Sequence, residues 1–181
     1  MKFGKNMANK TTVIGNISSG KSTFSKKLAE KLGIEVFYLD LLLVKKDFTA
    51  ISEDEFLTAQ RKMIEKPKWI IEGVAYWSSV VERFKEAEEI ILMDLPVETC
   101  IRRYHERMVA QQKEKNQFIS EGCDYSKMIK QAEIGIEWFD RELKPKVIKL
   151  MNESRHAART ILRNEIEIEE YLNRKRPQIG F

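Results

Sequence analysis

A chain of 181 residues with net charge +4, 43% hydrophobic and 33% charged residues, has the size and balance of one soluble globular domain, large enough to bury a core without staples. Its two cysteines, Cys100 and Cys123, lack metal or redox spacing and point to a reducing compartment, and no stretch approaches membrane-spanning length. These features argue against a disulfide scaffold, a zinc module or a membrane protein, and make the cytoplasm the expected location, with no signal peptide.

The first nine residues are polar and unpatterned and read as a loose arm. Thr12-Val13-Ile14 is a β-branched run expected to form a buried strand, and Gly15-Asn16-Ile17-Ser18-Ser19-Gly20-Lys21-Ser22 after it fits G-x-x-x-x-G-K-[ST]. From Lys21 the spacing becomes helical, with Phe24, Leu28 and Leu32 on one face and Gly33 as the stop. Strand, glycine-bounded loop and helix together make a phosphate loop. Its backbone N–H groups curl around a phosphate, and the positive end of the helix dipole points at it. The expected ATP-binding residues of the loop are therefore Gly15, Asn16, Ile17, Ser18, Ser19, Gly20, Lys21, Ser22 and Thr23. Lys21 would reach the β- and γ-phosphates, and the Ser22 hydroxyl would ligate Mg²⁺. The sequon Asn16-Ile17-Ser18 lies inside this loop, and like Asn152-Glu153-Ser154 it reads as coincidence.

Further along, residues 34–39 read as a second strand ending at Asp40. Ser52 with Glu55 is a capping box opening a helix to about Lys66, with Phe56, Ala59, Gln60 and Met63 at helical spacing. Pro67 breaks that helix before a third strand, Trp69-Ile70-Ile71, ending at Glu72-Gly73. A short helix at residues 78–84 precedes the fourth strand, Ile90 to Met93, ending at Asp94. After Pro96 a helix carries the stripe Val97, Cys100, Ile101, Tyr104 and Met108. Residues 111–126 are polar and long for a connection, which predicts a lid. A long helix from Ser126 turns Met128, Ala132, Ile136, Phe139 and Leu143 inward, and Pro145 kinks or restarts it. Arg159 to Leu162 is the fifth strand, Glu165 to Leu172 the closing helix, and 174–181 a frayed basic tail. Strands alternating with helices predict a single three-layer α/β/α domain around a five-stranded parallel sheet in the order 2-3-1-4-5.

In such sheets ligands bind at the carboxyl ends of the strands. Glu72 would stand beside Ser22 and hold Mg²⁺; Asp40, one strand further out, would take a proton from an acceptor hydroxyl or hold a metal-bound water. Asp94, followed by Pro96 and a helix, reads as a turn residue. On the helix after the fourth strand, Arg102 points to solvent, while Arg103 and Arg107 share one edge and form a candidate nucleotide clamp. The alternative for that edge is a solvated face neighboured by Glu106. His105 and His156 have no serine or cysteine elbow to serve as base, and Cys123 reads as a packing or hinge residue. Trp69, Trp77 and Trp138 read as core or pocket-wall aromatics.

Met93-Asp94-Leu95-Pro96 followed by Arg103-x-x-x-Arg107 resembles the motif that precedes the lid in adenylate-kinase-like P-loop kinases. Tyr38-Leu39-Asp40, Trp69-Ile70-Ile71-Glu72-Gly73, Glu121-Gly122-Cys123 and Leu162-Arg163 resemble, in order and spacing, the bacterial FlaR-like group named DNA topology modulation proteins. The resemblance implies Arg103 stacking on adenine, Arg107 on the phosphates, and Arg163 among the ATP-binding residues. The chain carries Ser18 where that group has another glycine, and Glu72-Gly73-Val74 where it has Asp-Gly-Asn. Monophosphate-accepting relatives carry Asp-Gly-Phe-Pro-Arg there and an arginine after the second strand; here Leu41, Leu42 and Leu43 follow Asp40, which counts against a nucleoside monophosphate acceptor.

The reading is an ATP- and Mg²⁺-dependent kinase acting on a small-molecule acceptor, with Lys21, Asp40 and Arg107 catalytic and Ser22 and Glu72 holding metal. The alternatives are a nucleic-acid-associated ATP-binding protein of the topology-modulation type and a nucleotide or nucleoside kinase. A GTPase is discounted, because Asp94-Leu95-Pro96-Val97 stands where the guanine-reading Asn-Lys-x-Asp belongs.

Overall fold

The computed structural model describes residues 8–43, 51–113 and 125–175. The expected lid at 111–126 falls largely outside these residues, as do Cys123, most of the N-terminal arm and the tail beyond Lys175. β1 (Lys10–Gly15) lies between β3 (Trp69–Glu72) and β4 (Glu89–Met93), with β2 (Val36–Tyr38) and β5 (Ala158–Leu162) at the edges. Every pairing is parallel and the order is 2-3-1-4-5, as predicted. Strands covered on both faces read as continuous apolar runs, and the two-residue period divides them between two cores. Val13, Ile70, Ile91 and Met93 face one core with Phe24 and Leu28. Ile14, Ile71, Ile90 and Leu92 face the other with Phe56, Val80 and Phe84.

The helices are α1 (Lys21–Leu32), α2 (Glu53–Ile64), α3 (Trp77–Glu86), α4 (Val97–Lys113), α5 (Tyr125–Trp138), α6 (Lys144–Glu153) and α7 (Glu165–Arg174). The local signals act as expected. Gly33 ends α1 in the left-handed conformation, and both halves of the Ser52–Glu55 capping box form. The inward face of α2 is Phe56, Leu57, Gln60 and Ile64, with Ala59 and Met63 only half-buried.

Two elements differ from the sequence reading. β2 is shorter than residues 34–39, because the Ile34 N–H is spent on the Ala29 carbonyl and Leu39 turns into a 3₁₀ segment, Leu39–Leu42. Asp40 therefore sits in that turn rather than ending a strand. Between α5 and α6 the chain winds as a π-helix over Phe139–Leu143, and Pro145 then opens α6. Ala132 and Ile136 of α5 belong to the first core, whereas Phe139, Leu143 and Val147 belong to the second. The π turn is where this long helix changes layers.

Gly15 ends β1 against β4 so closely that a Cβ there would stand 2.6 Å from the Met93 carbonyl oxygen. Gly15→Ala is expected to destabilise the fold by about 1–3 kcal/mol through overpacking. The check is the urea midpoint, and an unchanged midpoint would mean that the β1–β4 spacing yields freely.

Candidate functional site

The phosphate loop is built by backbone geometry. Gly20 caps α1 with φ +91°, and Ser18, at φ +56°, adopts a conformation that favours glycine. The Ser19 N–H closes the loop on the Asn16 carbonyl at 3.2 Å, and Lys21 Nζ donates to the same carbonyl at 2.8 Å. Burial pushes the Lys21 ammonium below its ordinary pKa, while Glu72 and Asp40 pull it back up. Ser22 Oγ donates to Glu72 Oε1 at 3.1 Å. Glu72 is 1% exposed, and burial pushes its carboxyl above the usual range, with Lys21 opposing. Its Oε2 is buried without a partner, as are the hydroxyls of Ser18 and Ser19. Unsatisfied hydroxyls in the loop suit an anion, and an unsatisfied carboxylate oxygen beside a serine hydroxyl suits a hard cation. The residues present fit a phosphate chain with Mg²⁺.

Asp40 packs against the end of β3: a Cβ on Gly73, whose φ is +115°, would lie 3.4 Å from Asp40 Oδ1. Behind that glycine stands Arg83, which the sequence reading did not single out. It is fully buried and donates from Nη2 to the carbonyls of Gly73 at 2.9 Å and Val74 at 3.5 Å. Burial pushes its guanidinium down to about 9, opposed by Glu72 and Asp40, so it remains charged at neutral pH. The available signal was a cation on the apolar stripe of α3, between Val80 and Phe84.

A cavity of about 560 Å³ runs from Asp40 past the phosphate loop to α7, and Arg103, Arg107, Glu165 and Ile168 also line it. Arg103 donates to the Ser19 carbonyl at 3.4 Å and pairs with Glu165, a partner absent from the sequence reading. Arg107 lies over the Tyr104 ring at 5.0 Å and is exposed. Glu106 is taken by Arg102 at 2.8 Å in solvent, so it does not neutralise the Arg103–Arg107 edge. Arg163 is exposed and does not line the cavity; its backbone N–H donates to Glu167 at 2.8 Å.

The remaining candidates have structural partners. Asp94 pairs with Lys144 at 3.1 Å, His105 with Glu133 at 2.7 Å, and His156 with the Phe84 carbonyl at 3.0 Å. Cys100 is buried, and burial pushes its thiol up to about 11. Trp69 is core, but Trp77, which opens α3, and Trp138, the last residue before the π turn, are 40% and 48% exposed.

No protein-family model matches the chain, and no curated protein matches it. Among solved structures it is similar to a shikimate kinase from Acinetobacter baumannii in complex with shikimate, with TM-score 0.59 and 18% identity over 93% of this chain and 90% of that one. It is also similar to shikimate kinase from Bacteroides thetaiotaomicron, with TM-score 0.57 and 15% identity over 93% of this chain and 96% of that one. What is shared at such identity is the fold, a shikimate-kinase-like P-loop fold with helices on both faces of the sheet.

Because burial disfavours the ionised form of Glu72, its charge costs stability in the free protein at pH values above its raised folded pKa. Glu72→Gln removes that cost. At neutral pH the variant is expected to melt at or above the wild-type temperature without ligand, and to lose the extra stabilisation that Mg²⁺ adds to ATP. Thermal melts with ATP, with and without Mg²⁺, check both halves. A variant that retains the Mg²⁺ increment would remove Glu72 from the metal.

Proposed function

We propose that this protein is a kinase that transfers the γ-phosphoryl group of ATP to a hydroxyl on a small-molecule acceptor. The observation that carries the proposal is the convergence of Lys21, Ser22, Asp40 and Arg107 on one cavity, with Glu72 hydrogen-bonded to Ser22. The likeness to the two shikimate kinases supports the reading at the level of fold. Of the FlaR-like motifs, Asp40 lines the cavity and Glu72 bonds to Ser22, and they add no acceptor of their own. The basic end of α7 does not favour nucleic acid, since Lys175 is paired with Glu89 at 2.8 Å.

In this mechanism the loop amides and the N-terminus of α1 bind the β-phosphate. Lys21 exchanges the Asn16 carbonyl for phosphate oxygens, while Arg103 gives the adenine a stacking surface. Ser22 and Glu72 would hold Mg²⁺, which when bound neutralises charge on the phosphates. Asp40 orients the acceptor hydroxyl. As the acceptor oxygen bonds to the γ-phosphorus and the bond to the β,γ-bridging oxygen breaks, Asp40 takes the hydroxyl proton late. Arg107, exposed at the cavity, meets the charge that moves in transfer.

Mg²⁺-ATP at a hundred times its dissociation constant should add about 2.7 kcal/mol of stability. Melting of wild type and Lys21→Ala checks this, and equal shifts in the two would place the nucleotide elsewhere. Asp40→Asn should fold and bind Mg²⁺-ATP nearly normally while transfer falls by roughly two to four orders of magnitude. Titrating Mg²⁺ against that variant separates a base from a metal ligand, and wild-type transfer would reduce Asp40 to a turn residue. Arg107→Ala should keep ATP affinity and lose tenfold to a thousandfold or so in rate; lost affinity with normal turnover would put Arg107 on the ground-state phosphates.

A further inference from the structure

The loop and the α5–α6 helix meet at two adjacent points. Asn16 is 3% exposed, and its carboxamide is used at both ends: Nδ2 donates to the Ile136 carbonyl at 2.9 Å, and Oδ1 accepts from the Ile17 N–H at 2.8 Å. Beside it, Ile17 reaches Gly135, where a Cβ would lie 3.3 Å from Ile17 Cδ1. The π-helix begins at Phe139, about one turn beyond Ile136. This is also where the long helix passes from one core to the other. The contact therefore lies at the crossing between layers.

We infer that the Asn16 side chain is a positioning residue that clamps α5 to the phosphate loop, and that phosphate binding is read out in α5 through it. The inference rests on the proposed nucleotide site but adds a role distinct from backbone ligation. In the free protein the Ile17 N–H is occupied by Asn16 Oδ1. A phosphate in the loop competes for that N–H. The carboxamide then loses one of its two fixed partners, and its remaining bond is the one to α5. Ligand and helix thus share a single side chain, which supplies the differential contact that any coupling requires. Gly135 keeps the approach open, since a larger residue would press on Ile17 from the helix side.

Hydrogen exchange on the full chain, with and without saturating Mg²⁺ and a non-hydrolysable ATP analogue, tests this. In the wild type, protection of α5 and the π turn should change on ligand binding by about fivefold or more, the lower end of ordinary site-to-site coupling. In Asn16→Ala the amides of α1 should still respond while the α5 response disappears. An equal α5 response in both proteins overturns the clamp, and so does a wild type whose α1 responds while α5 does not. Without ligand, Asn16→Ala should exchange faster than wild type in α5, and equal rates there overturn the clamp even if no nucleotide binds. Absence of any wild-type response at α1 would instead count against the proposed function, so the two failures are distinct. Gly135→Ala serves if Asn16→Ala does not fold. Its helix should be intrinsically firmer, yet analogue affinity should fall about threefold to tenfold if the contact positions the loop; unchanged affinity overturns the clamp.

Discussion

Val13 pairs with Glu72 in the parallel ladder between β1 and β3, and that register sets a buried carboxylate against the hydroxyl of Ser22, fifty residues away in sequence, at 3.1 Å. A one-residue slip would turn Glu72 to the opposite face and bring a core side chain to the loop. The register is held from both sides. Ile14 and Ile71 belong to one core and Val13 and Ile70 to the other, so a one-residue shift would disrupt both. The chemistry at the carboxyl edge is thus a consequence of how two apolar faces are filled.

That edge gathers four charges, with Arg83 and Glu72 fully buried, Lys21 half-buried and Asp40 exposed. Lys21 and Arg83 are positive, Glu72 and Asp40 negative, and the pKa of each cation is pulled up by the two carboxylates. Buried charges are costly unless they are paired or hydrogen-bonded. Arg83 meets the requirement in part, donating from Nη2 to the Gly73 and Val74 carbonyls behind Asp40 while its Nη1 is buried without a partner. Before any ligand arrives the four groups balance formally, two cations against two anions. In the proposed function this cluster exchanges internal partners for phosphate and metal.

Much of this was legible in the sequence. The glycine-bounded loop, the β-branched run before it and the 3.6-residue period after it are local signals, and all three formed as read. The sheet order followed from alternation and handedness, and the meeting of Ser22 with Glu72 followed from the order. What stayed hidden depended on tertiary context. Asp40 left its strand because an edge strand pairs on one side only and Leu39 turned early. Arg83 was not singled out and becomes visible only where α3 buries it, and Glu165, read only as the start of the closing helix, is brought by α7 to Arg103. The π turn had no local signature, because it arises from a helix that must serve two cores. Arg163, taken from family resemblance alone, does not reach the cavity.

Phosphoryl transfer is what would give Asp40 and Arg107 work that nucleotide binding alone would not. The most direct measurement is a screen of a metabolite pool with γ-labelled ATP and Mg²⁺, comparing wild type with Lys21→Ala and following the label into products. The account predicts label on a small-molecule hydroxyl in the wild-type reaction and none with the variant. Binding of nucleotide with no labelled product across the pool, or the same product from Lys21→Ala, would contradict it.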